Sequence, residues 1–271
     1  MDKRPILFLD SGIGGIPYCR YFHSQNPAES LLYIADRAHF PYGKREKNDL
    51  VLILKSLFER LIMAEDPKLA VLACNTATVS ALDELRATFP CLPFVGTVPA
   101  VKPAVMESKK KLAGVLGTAR TIEDPYIAEL AAKYGNGCKI MGLAAPELVE
   151  FVEHRINRAC ENEKREMVRK YIDQFRAAGA DALVLGCTHF LFLLEEFRIE
   201  AAPLIHVYDS IEGISSRIES ILDADGGALR ADGSVSGKNQ FFVTGENQIE
   251  DSWRQWAGEL GFSLSRFGDK T

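Results

Sequence analysis

The chain lacks several things that would assign it a class at once. No apolar run in its 271 residues approaches the roughly 18–20 needed to cross a bilayer, so no membrane-spanning helix is expected. Its opening, MDKRPILFLD, holds too short an apolar segment for a secretion signal, and cytoplasmic residence is the default expectation. The six cysteines, at 19, 74, 91, 138, 160 and 187, form no CxxC pair and no zinc-ribbon spacing. The five histidines are scattered, so no metal ligands are assigned. Positive charge is not in excess: the formal net charge is −5, which argues against general affinity for nucleic acid or anionic membranes. The glycine-rich stretch Asp10-Ser11-Gly12-Ile13-Gly14-Gly15 begins like a dinucleotide fingerprint, but Pro17 stands where the third glycine belongs. A phosphate-binding lysine loop, tandem repeats and low-complexity segments are also missing.

What is present is alternation. Short apolar runs (PILFLD, LLYIAD, LAVLAC, PFVGT, LAGVLG, CKIMGL, DALVLG, LIHVYD, QFFVTG) are separated by segments with helical spacing, such as Leu50, Ile53, Leu54, Leu57, Phe58, Leu61 and Ile62. Continuous apolar strands joined by helices imply a mostly parallel sheet covered on both faces. A coarse echo between the halves goes further. ILFLDSGIGG followed by LAVLACNTAT resembles LAGVLGTARTI followed by DALVLGCTHF. The expected fold is therefore α/β, with two pseudo-symmetric lobes, each a mostly parallel sheet flanked by helices, and an active site in the cleft between them. The expected lobes are 1–97 plus 209–271, discontinuous, and 98–208.

Ligands of parallel α/β sheets sit at the carboxyl ends of strands, where the next helix begins. Cys74 and Cys187 both fall at such ends, followed by Asn75-Thr76 and by Thr188-His189. A helix N-terminus carries partial positive charge and free N–H groups, which favour a thiolate and hold carboxylates. The other four cysteines are expected to be reduced, buried, small hydrophobes. Two thiols, one from each lobe, suit inversion at a stereocentre: one removes a proton from a tetrahedral carbon while the other delivers one to the opposite face. Other thiol chemistries fit poorly. A cysteine phosphatase loop needs an arginine six residues after the nucleophile, where Ser80 and Leu193 stand. His189, two residues from Cys187, would share its side of an extended segment and could assist proton transfer. Asp10 either caps the following helix or faces a thiol, and Pro41-Tyr42-Gly43 is either a turn or a substrate-facing loop.

These residues, in this order, resemble the glutamate racemases of the cofactor-independent aspartate/glutamate racemase superfamily, over nearly the whole chain. The resemblance rests on Asp10-Ser11-Gly12 with Gly14-Gly15, Asp36 with Pro41-Tyr42-Gly43, Cys74-Asn75-Thr76-Ala77, Gly117-Thr118 with Thr121, Cys187-Thr188-His189-Phe190, Asp209-Ser210 and Thr244-Gly245. It implies interconversion of L- and D-glutamate for peptidoglycan synthesis, with no cofactor and no metal. By the family's pattern Cys74 would deprotonate D-glutamate and Cys187 L-glutamate. Asp10 and His189 match positions that assist the thiols, and Glu153 matches a further acid, with Glu150 as a rival alignment. Asp10, Ser11, Pro41, Tyr42, Gly43, Asn75, Thr76, Thr118, Thr121, Thr188 and His189 match substrate-contacting positions. The implied partner is glutamate, and the family admits a homodimer. The chain departs from the pattern at GTVPAVKPA, without the usual acidic residue before a proline. It departs again at Leu191-Phe192, where the family reads a proline-led run. Neither departure touches the thiols. Hydroxyls and amides alone do not separate glutamate from aspartate, so an aspartate or other amino-acid racemase is the alternative enzyme. A two-lobed amino-acid-binding protein without catalysis is the alternative outside that class.

Overall fold

The computed structural model describes residues 2–231, 237–246, 249 and 251–268. It has ten strands among them: β1 (Ile6–Asp10), β2 (Leu31–Ala35), β3 (Leu69–Leu72), β4 (Phe94–Gly96), β5 (Leu112–Gly117), β6 (Lys139–Ala144), β7 (Ala182–Gly186), β8 (His206–Tyr208), β9 (Asn239–Val243) and β10 (Ser263–Arg266). Two compact units divide the chain, Met1–Thr97 with Ile211–Thr271, and Val98–Ser210. Each is an α/β layer structure.

The first unit holds a six-stranded sheet in the order β10-β9-β2-β1-β3-β4, every pairing parallel. Its central strands are buried on both faces and read as unbroken apolar runs, as strands covered by helices must. Helix Lys47–Glu65 contributes Leu50, Leu54, Leu57, Phe58 and Leu61 to one core, against Leu7, Leu9, Leu32, Ile34, Ala70 and Leu72 from the sheet. Each such side chain, fully withdrawn from water, contributes about 1.5–3 kcal/mol. The second unit holds a four-stranded sheet, β6-β5-β7-β8, also parallel throughout. Its core gathers Val101, Ala104, Val105, Ala113, Val115, Ile127, Ala182 and Val184. Gly114 lets Phe175, from helix Glu161–Ala178, lie directly on β5; a Cβ there would stand 2.6 Å from the ring.

Register decides what shares a level at the carboxyl ends of the strands. Leu9 pairs with Leu72 and Asp10 with Ala35, and the Ala73 N–H donates to the Leu9 carbonyl at 2.8 Å. Asp10, Asp36 and Cys74 therefore emerge side by side. In the second sheet Gly117 pairs with both Gly186 and Ala144, which brings Thr118 and Cys187 out at one level. The order β1, β3 in one sheet and β5, β7 in the other is the same. Each thiol thus follows a strand that lies immediately beside its unit's first strand.

Cys19 and Cys138 are buried, but Cys91 and Cys160 are exposed, contrary to the expectation of burial. Cys91 sits in the turn entering β4, and Cys160 precedes helix Glu161–Ala178, where solvent rather than core meets the side chain. Among the described residues, no helix is long and apolar enough to cross a membrane.

Candidate functional site

The first unit arranges its polar residues around one thiol. Cys74 has extended backbone (φ −141°, ψ 117°) and stands at the N-terminus of helix Asn75–Thr88, whose first bond runs from the Thr78 N–H to the Cys74 carbonyl at 2.9 Å. The N–H groups of Asn75 and Thr76 lie in the first turn, where a helix leaves donors without internal acceptors. Asn75 and Thr76 are buried, and the Asn75 Oδ1 carbonyl has no hydrogen-bond partner within the protein. A buried acceptor left open is a site for a ligand donor. Asp10 is wholly buried at the end of β1. Its Oδ1 accepts from the Gly12 N–H at 2.8 Å and from the Ser11 hydroxyl at 3.4 Å. Asp10 therefore ties the turn that follows β1 and does not cap the next helix, which starts at Ile16 with Gly15 before it. That turn is pressed close to the thiol strand: a Cβ on Gly15 would stand 2.6 Å from Ala73 Cβ. Tyr33 holds it, accepting from the Gly15 N–H and donating to the Gly12 carbonyl.

Pro41 leads into a single 3-10 turn, Tyr42–Lys44, which contains Gly43. Tyr42 is buried in the same apolar cluster as Cys74, and its hydroxyl donates to Asp36 Oδ2 at 2.7 Å. Burial pushes the phenol well above its usual titration range, and the charges of Asp36, Cys74 and Asp10 push it further in the same direction. Tyr42 is thus a neutral hydroxyl within electrostatic reach of Cys74 and Asp10. Asp36 itself carries no proposed role in the sequence reading, although it belongs to the recognised pattern. The structure makes it a hub: wholly buried, it accepts from Tyr42, from Thr244 Oγ1 and from His39 Nδ1. Its position, just past the carboxyl end of a central parallel strand, is the same kind of signal that singles out Cys74.

The second unit builds a different surround. Cys187 has extended backbone (φ −138°, ψ 135°), but the chain then turns into the 3-10 segment Thr188–Leu193. His189 meets the thiol through this turn, and not along the extended segment that the sequence suggests. Its Nδ1 lies 3.8 Å from Cys187 Sγ, while its Nε2 lies 2.7 Å from Glu153 Oε1. Glu153 is buried on helix Pro146–His154, whereas Glu150 on the same helix pairs with His154 at its exposed side. Of the two alignments, the geometry brings Glu153 to the histidine. Thr118, the first residue after β5, accepts from the Thr121 N–H at 3.3 Å, and the two hydroxyls are 3.0 Å apart. Thr121 and Thr188 are buried. Among the described residues no cluster of three or more His, Cys, Asp or Glu side chains is placed to hold a metal ion.

Burial by itself would lower the basicity of His189. Its hydrogen bonds to Cys187 and Glu153, and their charges, outweigh that and hold the imidazole protonated well above the usual pH. Folded protein then binds this proton more tightly than the unfolded chain. The resulting stabilisation is complete below about pH 6.5, the ordinary imidazole value, and fades as pH rises through the higher folded value. Urea denaturation of the native protein and of His189→Gln is expected to show a stability gap that narrows between pH 6 and pH 9. A gap of constant size would contradict the charged imidazole.

Residues 20–212 match the family described as Asp/Glu/hydantoin racemase. A glutamate racemase of Treponema pallidum is 40% identical over 210 residues, 78% of this chain and 78% of the relative. One from Roseiflexus is 36% identical over 245 residues, 90% of this chain and 89% of the relative. The crystal structure of Escherichia coli glutamate racemase in complex with L-glutamate and the activator UDP-MurNAc-Ala superposes with a TM-score of 0.84 at 28% identity, covering 97% of this chain and 98% of that one. An isoform from Bacillus anthracis gives 0.82, also at 28% identity. The chain belongs to the Asp/Glu/hydantoin racemase family of isomerases.

Proposed function

We propose that this protein is a glutamate racemase that interconverts L- and D-glutamate by proton transfer at two cysteines, Cys74 and Cys187, and that it supplies D-glutamate for peptidoglycan. The observation that carries the reading is the matched placement of the two thiols. Each follows the strand beside its unit's first strand, each is buried yet retains 7% exposure, and each is followed at once by threonine or by asparagine and threonine. Binding an amino acid would require neither thiol.

In the forward step one thiolate takes the α-proton: the C–H bond breaks, an S–H bond forms, and the electron pair is delocalised into the substrate carboxylate. The opposite thiol then gives its proton to the other face and becomes the thiolate, so the two groups exchange roles for the reverse reaction. A thiolate is a weak base towards this carbon, so the developing carboxylate charge must be stabilised. The N–H groups at the start of helix Asn75–Thr88, with the hydroxyls of Ser11, Thr76, Thr118, Thr121 and Thr188, supply preorganised donors. The open Asn75 carbonyl suits the substrate ammonium. The His189–Glu153 pair gives Cys187 an adjacent positive charge that favours its thiolate. Tyr42, a neutral hydroxyl in the same buried cluster as Cys74, lies within electrostatic reach of both Cys74 and Asp10.

Incubation with L-glutamate, and separately with L-aspartate, in deuterated water without added cofactor tests this directly. Incorporation of α-deuterium together with loss of optical rotation is expected for glutamate only. Activity on aspartate alone would transfer the mechanism to another substrate. Binding of glutamate without exchange would support an amino-acid-binding protein.

A further inference from the structure

Asp36 collects hydroxyl donors from two parts of the chain that lie far apart in sequence. Tyr42, six residues away, donates to Oδ2 at 2.7 Å; Thr244, 208 residues away, donates to Oδ1 at 2.5 Å. The Thr244 hydroxyl also accepts the Ala38 N–H at 3.1 Å, so its proton and one of its lone pairs are both committed to the segment after β2. Backbone pairing sets this position, because the Thr244 N–H donates to the Ala35 carbonyl at 3.0 Å and β9 runs in register with β2. The same C-terminal region touches that segment twice more. Gly245 packs against Ala38 closely enough that a Cβ would stand 3.3 Å from it, and the Arg37 guanidinium lies 4.4 Å from the Phe40 ring and 5.8 Å from that of Trp253.

We infer that Thr244 is a positioning residue for the Cys74 half of the site: through Asp36 it fixes the Tyr42 hydroxyl beside the thiol. The inference rests on the racemase reading and adds to it that the C-terminal part of the first unit takes part in substrate handling. The Tyr42 proton must point at Asp36 for the phenol oxygen to face elsewhere, and a buried carboxylate keeps a single orientation only while its oxygens are filled by donors. Removing the Thr244 hydroxyl leaves Asp36 Oδ1 short of its nearest donor and the Ala38 N–H without its acceptor. Asp36 Oδ1 then keeps His39 Nδ1 at 3.0 Å, a group shared with Oδ2 at 2.9 Å, so the carboxylate can rotate about that shared contact and the phenol loses its fixed direction. Valine preserves the shape of the threonine and removes only the hydroxyl; serine preserves the hydroxyl.

Thr244→Val is expected to lower kcat for glutamate by tenfold or more, a size in keeping with a misplaced neighbour of an acid–base group. KM should change much less, and Thr244→Ser should restore kcat to within about threefold, since only the hydroxyl is at issue. The decisive measurement is a double-mutant cycle. If Thr244 acts through Tyr42, then Thr244→Val introduced into Tyr42→Phe produces a much smaller further loss. Equal losses in both backgrounds, or no rescue by serine, would overturn the inference. Amide hydrogen exchange over residues 36–45 provides a readout independent of turnover, with faster exchange expected for the valine variant and native exchange for serine. If the native protein fails to racemise glutamate, the functional reading fails by itself. Exchange then decides whether Thr244 holds this segment, and unchanged exchange in the valine variant would remove the clamp as well.

Discussion

Replacing either Cys74 or Cys187 with serine is expected to reduce racemisation by at least about a hundredfold, the lower end of what a positioned acid–base group contributes. The argument is one of proton inventory. At neutral pH a serine hydroxyl keeps its proton, so it can stand as a poor acid but cannot take its turn as the base. Each thiol must do both over one cycle in the two directions, so each single variant should fail in both directions, and kcat should fall far more than KM rises. The fold should survive. Both residues are small and engaged at strand ends, and exchanging sulfur for oxygen creates no large void, so circular dichroism and urea midpoints should stay close to native. The two variants should nevertheless differ electrostatically. His189 owes part of its raised titration to Cys187, although burial is the largest influence and acts the other way. In Cys187→Ser the imidazole should therefore titrate lower than in the native protein, as NMR can follow. Cys74→Ser should leave it unchanged. Normal turnover in either variant would refute the two-base mechanism whatever the imidazole does.

Much of the framework is legible in the sequence because parallel strands buried on both faces leave a signal at every residue. Val71 and Leu72, or Val184 and Leu185, can be nothing but interior, and the helix at Lys47–Glu65 shows its spacing over more than three turns. The end of such a strand is just as visible, and the residues that follow β1, β3, β5 and β7 are candidates on that ground alone. Three features escape for physical reasons. The order β10-β9-β2 joins strands from opposite ends of the chain, and nothing local in Asn239–Val243 says that it pairs with Leu31–Ala35. The hub role of Asp36 follows from that pairing, since the Thr244 hydroxyl arrives from 208 residues away. The segment Thr188–Leu193 carries two aromatics, and the two-residue spacing suggests that His189 shares an extended segment with Cys187. Burial of Phe190, Leu191 and Leu193 on a 3-10 turn overrides the local preference and swings His189 towards Glu153. Exposure of Cys91 and Cys160 is a fourth departure, and it is decided by where loops meet solvent and not by thiol chemistry.

The largest effect on stability is expected at the opposite ends of the strands. Lys68 precedes β3, and its side chain is wholly buried, as is nearly all of Glu29. The ammonium donates to Glu29 Oε2 at 2.5 Å, to the Leu229 carbonyl at 2.7 Å and to the Asp2 carbonyl at 2.9 Å, which uses all three of its protons. Glu29 Oε1 in turn accepts the Ala231 N–H at 3.0 Å. Four separate stretches of chain therefore meet at one ion pair. Lys68→Met would keep most of the volume and strand the Glu29 carboxylate in the interior, a change that typically costs about 3–5 kcal/mol. Against a total stability of about 5–15 kcal/mol, that is a shift that urea denaturation resolves easily. Removing the second charge as well, in Lys68→Met with Glu29→Leu, should recover part of the loss, because no desolvated ion remains. Recovery should be incomplete, since the Asp2 and Leu229 carbonyls and the Ala231 N–H still lack partners. Four residues of β3, about 13 Å of extended chain, separate this pair from the Cys74 end of the sheet. Racemisation per folded molecule should accordingly match the native protein in both variants. A loss below about 1 kcal/mol in Lys68→Met would mean that water reaches the carboxylate once the lysine is gone, and that the pair behaves as a surface one. A double variant no more stable than the single would show that the backbone partners, and not the opposing charge, are what the lysine secures.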